Sequence, residues 1–114
     1  LRPIATLLES EAVLVADPSG AAVDVVNQVA TMLRAVVAGR RKRYVLMNAP
    51  QAALPEIEAI IPGFDAPSIV PLAHNGKVAI HSVVDAADVW DVLPQLKAAG
   101  ASGILVLPIE QLIP

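Results

Sequence analysis

Cysteine is absent from the 114 residues, which excludes disulfide scaffolds, thiolate zinc sites and cysteine nucleophiles. Aromatic residues are nearly absent as well, with only Tyr44, Phe64 and Trp90 present. Nucleic-acid domains of α+β type stack bases on aromatics of their central strands, and a net charge of −3 disfavours phosphate backbones. No nucleic-acid partner is therefore expected. Charged residues reach only 17%, while hydrophobic ones make up 55%, a balance that excludes a disordered tail. No apolar run approaches the roughly 18 residues of a membrane span, so no membrane partner is expected either. The first residue is Leu1 rather than Met, and nothing after it resembles a signal peptide. The expectation is a cytoplasmic chain that is one piece of a longer protein.

What is present is aliphatic and regularly punctuated. Residues 11–16, Glu-Ala-Val-Leu-Val-Ala, read as a short strand, followed by a turn over 17–20. From 21 to 38, Val25, Val26, Val29, Met32, Leu33, Val36 and Val37 recur at helical spacing, with Gly39 placed to end the helix. Residues 40–43 hold four of the eight basic residues, and this break in composition sets a boundary between residues 1–39 and 40–114. Beyond it the pattern alternates. Strands are predicted at 44–48, 68–72, 77–84 and 103–107, with helices at 52–61 and 85–99. The order β-α-β-β-α-β is the ferredoxin-like, ACT-like arrangement of an α+β domain. In that topology the second strand lies at an edge, where Pro71 is tolerated. Pro94 is the awkward residue, since inside a helix it kinks the chain or delays the helix start.

Motifs with catalytic chemistry are missing: there is no glycine-rich phosphate loop, no serine elbow and no paired acid with an activating partner. No catalytic or metal-binding residue is assigned. The two histidines, His74 and His81, read as surface or interface residues. Asp85, Asp88 and Asp91 suit a helix start better than a cation site. The basic run at 40–43 reads as a solvated hinge rather than a phosphate grip. Gly100-Ala101-Ser102-Gly103 has two readings: a backbone that approaches a ligand and offers N–H groups to a carboxylate, or an ordinary tight connection.

Several separated segments resemble one family. Pro62-Gly63-Phe64-Asp65-Ala66-Pro67-Ser68-Ile69-Val70-Pro71-Leu72 is similar to the proline- and serine-bracketed segment of long-form ATP phosphoribosyltransferase. Tyr44-Val45-Leu46-Met47-Asn48-Ala49-Pro50 and the stretch from Leu96 through Gly103 to Ile109 resemble the same C-terminal region. Residues 7–15 look like the end of the catalytic part of that family. The resemblance implies that the complete enzyme condenses ATP with phosphoribosyl pyrophosphate, using magnesium as cofactor, in the first step of histidine biosynthesis. This chain would hold the end of the catalytic region (1–39) and an ACT-like regulatory domain (40–114). It would lack the phosphoribosyl-pyrophosphate loop and be inactive alone. The family further implies feedback inhibition by L-histidine bound at contacts between subunits, in a homo-oligomer that is hexameric at full length. Carried over by position, the effector residues are Asn48, Phe64, Ser68 and Gly103. A free-standing ferredoxin-like oligomerisation or small-molecule-binding domain is the alternative.

Overall fold

The computed structural model describes residues 2–20, 22–61, 66–73 and 76–113. Its centre is a four-stranded antiparallel sheet in the order β2-β3-β1-β4, built from β1 (Lys42–Pro50), β2 (Ser68–Pro71), β3 (Lys77–Asp85) and β4 (Ser102–Pro108). This is the predicted ferredoxin-like topology, with the first and third strands central. Pro71 and Pro108 fall on edge strands, where a missing N–H costs no internal ladder bond.

Alternation along β1 and β3 divides the sheet into two faces. Val45, Met47 and Ala49 of β1 and Val78, Ile80 and Val84 of β3 are buried on one side. Two helices cover that side: α2 (Leu54–Ile60), led by a 3-10 turn at Gln51–Ala53, and α3 (Val89–Ala98). Ile57, Ile61, Val89 and Leu96 complete the core. Burying aliphatic side chains of this size contributes about 1.5–3 kcal/mol each, and they supply most of the domain's cohesion. Pro55 sits in the first turn of α2, as predicted.

The helix expected from residue 85 begins later. Residues 86–88 form a turn, and α3 starts at Val89 with Pro94 retained inside it. Asp88 O accepts the N–H groups of Asp91 and Val92, both at 3.0 Å, so Pro94 falls one turn further in. There it deprives the carbonyl of Trp90 of its helical donor.

Three expectations for the first 43 residues are corrected. Residues 11–16 form no strand: a strand exists only through a ladder partner, and none of the four strands pairs with them. Helix α1 (Val23–Arg40) runs through Gly39 instead of ending at it. Gly39 is buried because the chain after β4 crosses it: a Cβ there would lie 2.8 Å from Ile109 O and 3.1 Å from Gln111 N. The basic run is no irregular linker, since Arg40 ends α1, Arg41 alone intervenes, and Lys42 and Arg43 already belong to β1. Two of its side chains, and the Arg41 carbonyl, are engaged. Arg43 Nη1 donates to the carbonyls of Lys42 and Arg40, Lys42 pairs with Asp85 at 3.0 Å, and Arg41 O accepts from Ala86.

Apart from Ala35 and Gly39, which are buried, α1 has little cover. Val25, Val29, Met32, Leu33 and Val37 are all exposed, as are Leu7, Leu8, Val13 and Val15 ahead of the helix. The Cα radius of gyration, 19.5 Å, accordingly exceeds the roughly 13 Å of a compact chain of this length.

Candidate functional site

The sheet face opposite α2 and α3 carries the polar residues. Register places them in rungs, because residues directly opposite one another in an antiparallel pair point to the same side. One rung reads Ser68–His81–Leu46–Leu105; the next reads Val83–Tyr44–Leu107; and on the far side Val70–Ala79–Asn48 leads to Ser102. The Lys42–Asp85 ion pair closes one end of this face. An aliphatic field of Leu46, Leu105, Leu107, Val70 and Val83 thus surrounds a few hydrogen-bonding groups.

Two of the four sequence-predicted residues meet. Between Leu46 and Asn48 the β1–β4 register slips, because β4 holds an extra residue opposite β1. Gly103 supplies the left-handed conformation this bulge needs, with φ of 58°. A Cβ on Gly103 would sit 3.7 Å from Asn48 Nδ2. Asn48 is half-buried, and its side-chain amide has no hydrogen-bond partner among the described residues. Only its main-chain carbonyl is engaged, by a long 3.4 Å contact from Ser102 Oγ.

Ser68 is not brought to them. It lies on the opposite edge strand, exposed, with β3 and β1 between it and β4. Phe64 lies outside the described residues. The predicted site is therefore two separate halves on one face, Asn48 with Gly103 near one edge and Ser68 at the other.

The two readings of the 100–103 connection separate residue by residue. Gly100, with φ of 93°, terminates α3 in a Schellman motif. Gly100 N donates to Lys97 O at 3.2 Å, and Ala101 N donates to Leu96 O at 3.0 Å. Those two N–H groups are spent on the helix and cannot also bind a carboxylate. Only Ser102 and Gly103 belong to the open face.

Sequence reasoning passes over one pair. Tyr44 Oη and His81 Nδ1 are hydrogen-bonded, and the rings meet edge to face at 85°. His81 is the cross-strand neighbour of Ser68. The alternation of β3 puts His81 opposite the core residues, but only the β2–β3 register reveals its neighbour.

The three aspartates of residues 85–91 do not converge. Asp85 pairs with Lys42, while Asp88 and Asp91 lie at the start of α3. Among the described residues no three His, Asp or Glu side chains gather as a cation site requires. Among the described residues of the open face, Asn48, Ser68 and Gly103 offer a hard cation no carboxylate, and Asp85 at its end is paired with Lys42. No helix is long and apolar enough to cross a membrane among those residues.

Comparison with known proteins agrees with this architecture. Residues 39–111 match the family model described as "HisG, C-terminal domain". An ATP phosphoribosyltransferase of Natronomonas pharaonis is 45% identical over 114 residues, covering 100% of this chain and 41% of that protein. The ATP phosphoribosyltransferase of Phocaeicola vulgatus is 40% identical over 115 residues, covering 99% and 41%. That of Halobacterium salinarum is 46% identical over 88 residues, covering 77% and 31%. The chain thus spans about two fifths of the length of the first two relatives.

Proposed function

The chain belongs to the HisG C-terminal domain family, and from that premise we propose that it is the regulatory and assembly end of an ATP phosphoribosyltransferase. Residues 1–39 then close the catalytic region, and residues 40–114 form an effector-binding domain for L-histidine. The condensation of ATP with phosphoribosyl pyrophosphate, and the magnesium it uses in the cytoplasm, are assigned to the catalytic part of the longer protein. The chain on its own is expected to be inactive.

The observation that carries this reading is the division of the polar face into two halves. Neither half alone offers enough groups to select an amino acid. A ligand held between Ser68 of one copy and Asn48 with Gly103 of the next would be recognised only in an assembly. Such a contact pairs two different patches of the same face, an arrangement open to isologous and heterologous interfaces alike. The aliphatic residues around the polar groups suit burial between copies, and a hexamer is the assembly proposed for the full-length protein. Feedback follows by linkage, since an effector that binds only the assembled form shifts the population toward it.

The exposed apolar stripe of α1 argues against the alternative, a free-standing ferredoxin-like domain. Val25, Val29, Met32, Leu33 and Val37 form a contiguous helical face, and a patch of this kind marks an interaction surface. The catalytic region is its proposed cover.

Titration calorimetry of L-histidine into the full-length protein tests the reading. Saturable binding is expected, weakened about 3- to 10-fold by Ser68→Ala, the value of one hydrogen bond. Absence of heat in an assembled sample overturns the regulatory assignment.

A further inference from the structure

The open face places one titratable side chain beside a proposed effector contact, and no role has been given to it. His81 is half-buried on β3, directly across from Ser68 of β2. Its Nδ1 is occupied by Tyr44 Oη. A neutral imidazole nitrogen is a better acceptor than a phenol oxygen, so Tyr44 donates and the ring proton resides on Nε2. Neither His81 Nε2 nor Ser68 Oγ has a partner among the described residues. A ring N–H and a hydroxyl, both unspent, therefore stand side by side on a largely apolar surface.

We propose that His81 is a ligand contact, receiving the effector's carboxylate together with Ser68, and that Tyr44 is the positioning residue that fixes its tautomer. This rests on the reading of Ser68 as an effector contact and changes how the ligand is oriented. The 100–103 connection is the other carboxylate receptor considered above, but its Gly100 and Ala101 N–H groups are consumed by the end of α3. With the carboxylate at Ser68 and His81, the Asn48 side-chain oxygen of the neighbouring copy is left for the ammonium or imidazole, which are donors.

The test is L-histidine calorimetry on the assembled full-length protein at pH 8, the wild type compared with its variants. A glutamine side chain carries its amide nitrogen where imidazole carries Nε2, whereas the shorter asparagine places it nearer Nδ1. His81→Gln should hold affinity within about threefold at pH 8, and His81→Asn should lose about tenfold, one hydrogen bond to a charged group. Nitrogen-15 spectra should show His81 protonated at Nε2 in the wild type and a mixed tautomer in Tyr44→Phe. Binding that Ser68→Ala weakens but neither His81 variant alters overturns the assignment of His81 and leaves the regulatory reading intact. A wild-type protein that binds no L-histidine overturns that reading, and this one with it.

Discussion

The N–H of Leu112 donates to the carbonyl of Ala35 across 2.9 Å, stitching the chain after β4 to the last third of α1. The same crossing packs Ile109–Gln111 onto Gly39, so the end of the helix and the chain leaving the sheet are in direct contact. Gly39→Ala would ordinarily favour a helix, but its new methyl must displace the backbone at Ile109. The substitution should lower stability by about 1–3 kcal/mol, the range for overpacking, read as a lower urea midpoint. A midpoint at or above the wild-type value would mean that the tail does not dock there.

Ser82 lies in the core face of β3 at 5% exposure, and its hydroxyl has no partner among the described residues. Removing an unsatisfied buried hydroxyl relieves its desolvation cost. Ser82→Ala should be neutral or stabilising by about 1 kcal/mol, where most core substitutions destabilise. Thermal unfolding of the two proteins side by side decides it.

Pro94 sits exposed inside α3 and leaves the Trp90 carbonyl without its helical donor. Restoring an N–H with Pro94→Ala should stabilise the protein by about 1–3 kcal/mol. Hydrogen exchange should report new protection at residue 94. Unchanged stability would mean that a neighbouring group depends on the proline ring.

At Gly103 the left-handed backbone and the nearness of Asn48 act together. Gly103→Val should cost at least about 1 kcal/mol through its positive φ and press on the Asn48 amide. Weaker L-histidine binding is expected in the full-length protein. Undiminished affinity would remove Gly103 from the effector half-site.

Asp17 accepts hydrogen bonds from the Ser19 hydroxyl at 2.7 Å and from its N–H at 2.9 Å, which hold its carboxyl below the usual carboxylate range. A depressed folded value means the turn is favoured above the ordinary aspartate pKa and loses that support as pH falls through the lowered one. Carbon-13 titration should place its midpoint below that of an unperturbed aspartate. Ser19→Ala, which removes the hydroxyl and keeps the N–H, should raise it part of the way back toward the ordinary range.

Strand order is legible in the sequence because proline and alternation speak directly about edges and faces. Pro71 marks an edge strand, and the buried set of Val45, Met47 and Ala49 follows from a period of two. The end of α1 is not legible, because glycine has two uses: Gly39 serves a close crossing by Ile109–Gln111, far along the chain, which no local pattern records. Residues 11–16 have strand composition without a ladder, and composition cannot reveal a missing partner. At the candidate site, Asn48 and Ser68 are assignable to strands, but their separation across the sheet is a property of register. His81 escapes assignment for the same reason, since its pairing with Ser68 exists only once β2 and β3 are aligned.

The two margins of the sheet are unequal. On one side β2 is four residues long and bracketed by Pro67 and Pro71; on the other β4 runs seven residues without a charge. Charged or proline-blocked margins are the usual defence against runaway strand addition; β2 has a proline at both ends, whereas β4 has one only at its last residue, Pro108. A copy that joined another through β4 would present its doubly proline-stopped margin to any third. Strand addition of that kind halts at two copies, so the more open margin carries little risk of fibrous growth.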